Sequence, residues 1–533
     1  MASCTWIINV LLLLTACVAV AEDAWSSSPS SLSETEREVL LSTGWWTNRY
    51  LDFYISQSPC DWVRIGCDVE GRVSSIIFDY DPLYIEDEEL GKLDFSFFPY
   101  LEKLQLPNCG LKGSIPFQIG MLSNLESLSF RDNYLTDKLP SSLANLTQLL
   151  SLDISGNFLS GSIPNRLSRL KNLIYLDLNH NKLTTGTIPP SLNSYTNLNQ
   201  LNLGFNKLNG FIPWELGNLN NLLTLNLANN KLAGTIPSTL GSFTYLNHLD
   251  LGFNQFNGSL DLLMANLSQL KNLAYLDLGH NKLTGLIPQG FGNLRYLAKL
   301  YLHSNNLSGV IPLELQNLSD LVKLNLGCNN LNGSIHLELG NLRKLVSLDL
   351  GHNKLTGMIP STLGSLTELS HLNLSFNRFN GSLAIQLANL THLMELDLAH
   401  NAFTGSLPVF KDCNILKYLD FSYNLLSGHI PVELGDCPSL VHPPVENQNK
   451  MNVRNGDMFS VGNFDGHIAY ADIVRATNNF DIRYCIGIGS YGSVYEVRLP
   501  SGRTVALKKL HRLEAEEPAF DRSFEMRCMC CQI

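Results

Sequence analysis

The chain has few charged residues, no basic excess, and no long apolar run in its body. Asp, Glu, Lys and Arg make up 16% of the 533 residues, against about 25% in an ordinary soluble protein. The net charge of −11 argues against a nucleic-acid-binding protein, which would need a basic surface. Beyond residue 22 the sequence contains no run of about 18 or more apolar residues, and therefore predicts no transmembrane helix. The hydrophobic share of 44% argues against global disorder.

Residues 1–21 are predicted to be a secretory signal peptide. The apolar run from Ile7 ends in Ala19-Val20-Ala21, a small-x-small cleavage pattern, and acidic residues follow at once. No Lys or Arg precedes the run, so a short uncleaved anchor is the alternative. Entry into the secretory pathway would permit disulfides and N-linked glycans in the rest of the chain.

The middle of the chain repeats the pattern LxLxxNxL fourteen times, and ten of the thirteen intervals are 24 residues. A fixed period of this length is the signature of a solenoid, in which each unit buries its apolar face against its neighbours. The sixth position of the pattern is Cys109, Asn133, Asn157, Asn181, Asn206, Asn230, Asn254, Asn281, Asn305, Asn329, Asn353, Asn377, Asn401 and Asn424.

Each position of the pattern has a physical role. The LxL segment predicts a short strand whose leucines point inward and whose x positions point outward. The Asn side chain is predicted to satisfy backbone groups where the strand turns, so that stacked copies form a ladder. The sequence therefore predicts an α/β-type repeat solenoid with a parallel sheet.

Within several repeats a Gly-x-Ile-Pro segment follows the Asn of the pattern, for example at Gly285–Pro288 and Gly357–Pro360. The combined pattern LxGxIPxxLGxLxxL resembles the plant-specific class of leucine-rich repeats over about residues 76–440. The resemblance implies about 14–15 repeats, a concave parallel sheet, a second short strand in each repeat and a twisted superhelix.

The segment SPCDWVRIGC resembles the N-terminal cap of plant leucine-rich-repeat proteins, here residues 22–75. The resemblance implies a disulfide between Cys60 and Cys67, although a Gly usually stands where this chain has Arg64. Cys413 and Cys437 occupy the same position in adjacent repeats, so a bridge is conceivable. We expect two buried thiols there instead, and an uncovered end to the solenoid.

The sequence contains nine N-x-S/T sequons, which secretion would make candidate glycosylation sites. Asn373 differs from the others because it falls between two strand leucines, on the predicted sheet face, where a glycan would obstruct a ligand. The sequons are at Asn145, Asn257, Asn266, Asn306, Asn317, Asn332, Asn373, Asn380 and Asn389.

The outward strand positions are where a ligand would lie. Position two is usually Asp or Asn and position five is often His or Phe, which we interpret as repeat consensus with a structural role. The repeat around Tyr301 departs from both columns. A surface of Tyr, His and Lys would suit a peptide with an acidic or carboxylate end. The candidate ligand-binding residues are Tyr175, His248, Tyr275, Lys299, Tyr301, His303 and Lys323.

The last segment carries GxGxxGxV followed by VALK, which resembles the start of a protein-kinase N-lobe in residues 483–533. Strand-like residues follow the glycines, which excludes a Rossmann loop. The resemblance implies that this segment contacts the ATP phosphates, whereas turnover is not expected because no HRD or DFG motif occurs. No metal site is expected, not even at the terminal cysteines. The residues of the motif are Gly487, Gly489, Gly492, Val494, Ala506 and Lys508.

Taken together, the chain resembles plant leucine-rich-repeat receptor-like serine/threonine kinases, and within them the branch that interacts with the male-discoverer receptor. The resemblance implies an ectodomain that binds a peptide or protein ligand, a co-receptor kinase as partner, and the plasma membrane as location. Residues 441–482 would be the linker or juxtamembrane-like segment. Two alternatives stay open: a receptor kinase that has lost its membrane helix and most of its kinase domain, or a secreted extracellular decoy or inhibitor.

Overall fold

The structure is a computed structural model. It describes residues 29–46, 58–78, 89–184, 186–261, 269–383, 385–410, 413–427, 431, 433–434 and 437–440, and the backbone of 485–489, 492–498 and 504–510. The predicted signal peptide and residues 441–482 lie outside the described residues. The described chain divides into a first unit that ends at Leu232 and a second that begins at Ala233.

The first unit begins with a cap. Its helix Pro29–Ser42 is followed by an antiparallel pair of strands, Ile65–Cys67 and Val73–Ile77. A parallel sheet continues from the second of these strands. The further strands of this sheet within the unit are Lys103–Gln105, Ser127–Ser129, Ser151–Asp153, Tyr175–Asp177, Gln200–Asn202 and Thr224–Asn226.

The second unit repeats the same arrangement, and its neighbouring main-sheet strands pair in parallel. Leu300 faces Leu276 on one side and Leu324 on the other, so the leucines stay in register from repeat to repeat. All three are at most 1% exposed. The strands are His248–Asp250, Tyr275–Asp277, Lys299–Tyr301, Lys323–Asn325, Ser347–Asp349, His371–Asn373, Glu395–Asp397 and Tyr418–Asp420.

Short second strands follow the main strands in many repeats, as the resemblance implied. Several of them lie at a Gly-x-Ile-Pro segment, where the glycine, for example Gly309 or Gly357, adopts the left-handed conformation that glycine tolerates best. These strands are Lys112–Ser114, Tyr134–Thr136, Asn209–Gly210, Lys231–Thr235, Gln255–Asn257, Ser308–Gly309, Asn330–Leu331, Thr356–Gly357, Arg378–Ser382, Ala402–Gly405 and Leu425–Leu426.

A short 3-10 helix completes most repeats on the side away from the main sheet. Pro312 precedes one of them with φ of −65, the value to which its ring restricts the backbone, and Leu315 within that helix is fully buried. The helices are Pro59–Asp61, Leu90–Lys92, Phe95–Phe97, Phe117–Met121, Ser141–Asn145, Asn165–Arg169, Pro190–Ser194, Trp214–Asn218, Ser238–Ser242, Gln289–Asn293, Leu313–Asn317, Leu337–Asn341, Ser361–Ser365 and Ile385–Asn389.

The asparagine ladder is present as predicted. Asn305 Oδ1 accepts a hydrogen bond from the Leu283 amide at 2.9 Å, and its Nδ2 donates to the carbonyls of Leu278 at 2.9 Å and Leu302 at 3.1 Å. One side chain therefore joins two adjacent repeats. Because buried backbone groups are costly to leave without partners, this explains the recurrence of Asn without any role in ligand binding.

Both cysteine pairs form disulfides. The Cys60–Cys67 bridge is confirmed, with a Cα–Cα distance of 5.5 Å. Arg64 occupies the usual glycine position at φ of 80, in the left-handed region. The expectation of two buried thiols at Cys413 and Cys437 is wrong, because they form a disulfide with a Cα–Cα distance of 5.2 Å. Equivalent positions of adjacent repeats lie within disulfide reach, and the bridge fastens the last described repeat.

The C-terminal strands Cys485–Gly489, Gly492–Arg498 and Thr504–Leu510 form an antiparallel sheet. Their side chains are outside the described residues. Among the helices that the structure describes, none combines the length and apolar character needed to cross a bilayer.

Candidate functional site

Most of the Asp and Asn residues at position two of the repeat, between the two strand leucines, have a structural role. Their Oδ1 atoms accept a hydrogen bond from the amide two residues later, for example from Gly252 to Asp250 at 3.1 Å and from Gly279 to Asp277 at 2.7 Å. This bond caps the end of the strand and agrees with the interpretation of the column as repeat consensus. The residues that replace it are therefore the informative ones.

One repeat of the second unit departs from this arrangement at two positions. Tyr301 replaces the acidic or amide residue, and His303 replaces the small residue that follows two positions later, Gly279 in the preceding repeat. The His303 ring turns back over Gly279, and its Nδ1 lies 2.6 Å from the point where a Cβ on that glycine would be. Burial, followed by the nearby His280, lowers the pKa of His303 to about 4.

Six rings form a connected group that we call the aromatic cluster, defined as His248, Phe253, Tyr275, His280, Tyr301 and His303. His248 stacks on Tyr275 with a centroid distance of 4.1 Å, and Tyr275 contacts Tyr301 at 5.7 Å. His303 links Tyr301 at 6.1 Å to His280 at 4.8 Å, and His280 stacks on Phe253 at 4.0 Å. The rings contact one another and are half-buried, including His248 and Tyr275, which we expected to be exposed.

Two lysines lie side by side next to the cluster. The Cα atoms of Lys299 and Lys323 are register partners on neighbouring strands. Lys299 Nζ lies 5.8 Å from the Tyr275 ring centroid, and among the described residues neither lysine forms a salt bridge. Like charges directly opposite each other in a sheet repel. An anionic group that contacted both lysines would relieve this repulsion and would therefore bind favourably.

Two carboxyl groups lie between the rings. Asp250 and Asp277 are register partners, and the Tyr275 hydroxyl donates to Asp277 Oδ2 at 3.5 Å. Burial, and then the charge of Asp250, raises the pKa of Asp277 to about 7, while burial also raises the pKa of Asp250. Sequence reasoning missed both residues, together with Phe253 and His280, because each matches the repeat consensus.

The predicted ligand-binding residues fall into two groups. His248, Tyr275, Lys299, Tyr301, His303 and Lys323 come together on adjacent strands of the second unit. Tyr175 lies in the first unit, where its register partners are Ser151 and Gln200. Its hydroxyl donates to Asp177 Oδ2 at 3.1 Å, so it takes part in a local network there.

The described sequons also fall into two groups. Asn266 lies outside the described residues. The acceptor side chain is exposed at seven of the others: Asn145, Asn257, Asn306, Asn317, Asn332, Asn380 and Asn389. Asn373 is half-buried on the main sheet. Its Oδ1 accepts from the amide and hydroxyl of Ser375 at 3.0 and 2.7 Å, and its Nδ2 lies 2.8 Å from a Cβ position on Gly351.

This geometry of stacked LxLxxN strands, an asparagine ladder and outward-facing strand positions defines a leucine-rich-repeat solenoid. One leucine-rich-repeat family model matches residues 257–307 and 319–379. A second matches 124–146, 148–170, 172–195, 197–219, 221–243 and 416–437.

Two solved structures are similar to the chain with useful coverage. The crystal structure of a TDR receptor is 36% identical, with a TM-score of 0.62 and coverage of 64% of this chain and 59% of that one. The plant peptide hormone receptor RGFR1 in complex with RGF2 is 31% identical, with a TM-score of 0.54 and coverage of 72% and 67%. The chain belongs to the leucine-rich-repeat family, and both of these similar structures are receptors.

Curated relatives match over shorter stretches. MDIS1-interacting receptor like kinase 2 of Arabidopsis thaliana is 43% identical over 56 residues, which is 10% of this chain and 5% of the relative. Phytosulfokine receptor 1 of the same plant is 37% identical over 76 residues, which is 13% and 8%. The matched stretches thus span less than a tenth of these relatives, whose names identify one receptor-like kinase and one receptor.

Proposed function

We propose that the repeat region of this chain is the ligand-binding ectodomain portion of a plant leucine-rich-repeat receptor-like kinase, that it acts at the cell surface, and that it binds a peptide on the main sheet of the second unit. The observation that carries the proposal is the pair Lys299 and Lys323 beside the aromatic cluster. The aromatic rings offer apolar contact area, and the lysines offer a site for a carboxylate of the peptide.

The relatives support the same proposal. The structure of the plant peptide hormone receptor RGFR1 is a complex with RGF2, and this chain covers about two thirds of that receptor. A peptide ligand is the partner that we propose on this ground. A co-receptor kinase and a plasma-membrane location of the intact receptor are proposed from the resemblance of the chain to receptor-like kinases. An extended peptide would lie across several strands, so that outward residues of successive repeats each contact a different side chain.

The experiment uses the immobilised full chain and an array of synthetic extended peptides, each made with a free C-terminal carboxylate and as its amide. We expect peptides with the free carboxylate to bind at least tenfold more tightly than their amides. Tyr301→Ala combined with Lys299→Ala should remove this binding. Ser347→Ala is the matched control, because Ser347 is the register partner of Lys323 on its other side. Unchanged binding by the double variant would refute the proposed site.

We further propose that residues 485–510 are the first strands of a kinase N-lobe. The backbone supports this proposal, because Gly489 pairs with Gly492 at the end of a hairpin and Val494 pairs with Lys508. Glycines at a hairpin end let the backbone approach ATP phosphates. Fluorescence titration of the full chain with trinitrophenyl-ATP tests it: Lys508→Met should weaken binding, and the absence of any nucleotide binding would reject it.

A further inference from the structure

The two carboxyl groups beside the aromatic cluster lack the amide partner that the equivalent pair in the first unit has. There, Asp153 and Asp177 are register partners, and Asn202 on the next strand donates from its Nδ2 to Asp177 Oδ2 at 2.9 Å. In the second unit the corresponding register pair is Asp250 and Asp277, and the next strand has Tyr301 where the first unit has the amide. Their Oδ1 atoms cap the strand ends, and Asp277 Oδ2 accepts one long hydrogen bond from the Tyr275 hydroxyl at 3.5 Å, so the second oxygens can each accept from a further donor.

No Lys, Arg or His side chain of the described residues forms a salt bridge with these carboxyl groups. Neither Asp250 nor Asp277 belongs to any of the salt bridges of the described chain. The Nζ of Lys299 lies 5.8 Å from the centroid of the Tyr275 ring. Two adjacent carboxylates repel each other, and burial strengthens the repulsion, so the pair is stabilised either by a shared proton or by a bound cation.

The surroundings favour a flat cation. Tyr275 and His248 lie on one side of the carboxyl column, since they precede Asp277 and Asp250 by two residues in the paired strands. His303 lies on the other side, over Gly279, and its enclosed Nδ1 has no hydrogen-bond partner in the described chain. Aromatic rings attract cations at their faces.

We propose that the Asp250–Asp277 pair and the aromatic cluster bind an arginine side chain of the peptide ligand. A guanidinium group is planar, stacks on aromatic rings, and donates from several N–H groups in a fixed fork. Carboxyl groups on neighbouring strands, about 4.8 Å apart at the backbone, can both accept from one such fork. The inference rests on the proposed function and specifies that the ligand carries an arginine close to an acidic group or free C-terminus.

The test uses saturation-transfer NMR, in which the signals of a small ligand report weak binding to the full chain. The probe is N-acetyl-arginine amide, and its neutral control is N-acetyl-citrulline amide, which has nearly the same shape without the charge. We expect the arginine probe to bind at least tenfold more tightly. Asp250→Asn combined with Asp277→Asn should abolish this preference, because an amide neither repels its neighbour nor attracts a cation.

Folding of this variant is expected because Asn already occupies the same column at Asn202 and Asn325, where it caps the strand. Asp349→Asn, in the same column but outside the cluster, is the matched control and should leave binding unchanged. A second variant, Tyr301→Asp with His303→Gly, restores the residues common at these positions, removes two rings, and should weaken binding about fivefold.

Equal binding of arginine and citrulline, or an unchanged preference in the Asp250→Asn, Asp277→Asn variant, would overturn the inference. An equal loss in Asp349→Asn would also overturn it, since the effect would then not belong to the cluster. The proposed function fails separately, when no peptide of the array binds the chain although the arginine probe does.

Discussion

The contact between His303 and Gly279 allows a sharp test of the site geometry. A Cβ on Gly279 would lie 2.6 Å from His303 Nδ1, closer than any real contact of this kind. Gly279→Ala must therefore displace the ring, and with it the contacts of His303 to His280 and Tyr301. His303→Gly removes the ring and should make the alanine harmless.

The expected energies follow from the packing. Forcing one methyl group into an occupied space costs about 1–3 kcal/mol of unfolding free energy. Alanine itself suits this position, because Ala228 and Ala399 occupy it in other repeats, and Gly279 has no left-handed backbone conformation. In the His303→Gly background, Gly279→Ala should thus be neutral or stabilising by about 0.5 kcal/mol through the unfolded state. The coupling energy between the two positions should be about 1–3 kcal/mol.

Urea unfolding of the four proteins of this double-mutant cycle, with a check that the urea dependence stays the same, measures the coupling. Gly327→Ala is the control, because its nearest neighbour is the end of the Asp349 side chain at 3.0 Å rather than a ring. We expect it to cost less than Gly279→Ala and to be unaffected by His303→Gly. A coupling energy near zero would mean that His303 does not lie over Gly279, and the aromatic cluster would lose one of its members.

Four further predictions concern stability and modification. Asn329→Ala should lower the free energy of unfolding by about 3–6 kcal/mol, because it leaves a buried amide and several carbonyls without hydrogen-bond partners at about 1–3 kcal/mol each. A loss below about 1 kcal/mol in urea unfolding would contradict the structural role of the asparagine ladder. Replacing Cys413 and Cys437 together by Ser should lower the free energy of unfolding by about 3 kcal/mol, because the unfolded chain gains the entropy of an open loop of this length. Peptide mapping without reductant should recover the two cysteine peptides joined by a disulfide. Free thiols at both positions would refute the bridge. Burial raises the pKa of Glu36 from 4.5 to about 7, so its contribution to stability is present below pH 4.5 and is lost as the pH rises through about 7. The thermal unfolding midpoint should therefore change less with pH across this range in Glu36→Gln than in the unmodified chain. The same pH dependence in both proteins would show that the Glu36 carboxyl is not buried. When the chain is produced through a secretory pathway, mass spectrometry should find Asn373 without a glycan, because its amide packs on the preceding repeat; high occupancy there would show that this packing is absent.

Much of the repeat architecture could be predicted from sequence. The strand leucines and the ladder asparagines recur at a fixed period, and each repeat must match its neighbours to bury its leucines, so the register of Leu276, Leu300 and Leu324 follows from the spacing. The same reasoning identified Tyr301 and His303, because departures from a strict pattern are visible in the sequence. It overlooked Asp250 and Asp277, because residues that match the pattern carry no signal of their own.

The sequence by itself thus determined the parallel sheet, the asparagine ladder and the Cys60–Cys67 cap, whose constraints are local or periodic. Only the tertiary structure decided that Cys413 and Cys437 are bridged. It also decided that the His303 ring lies over Gly279, and that Asp277 has the Tyr301 ring on its next strand where Asp177 of the first unit accepts from the Asn202 amide. These features depend on which side chains of adjacent repeats meet, and that is fixed by packing between residues more than twenty positions apart rather than by the pattern within one repeat.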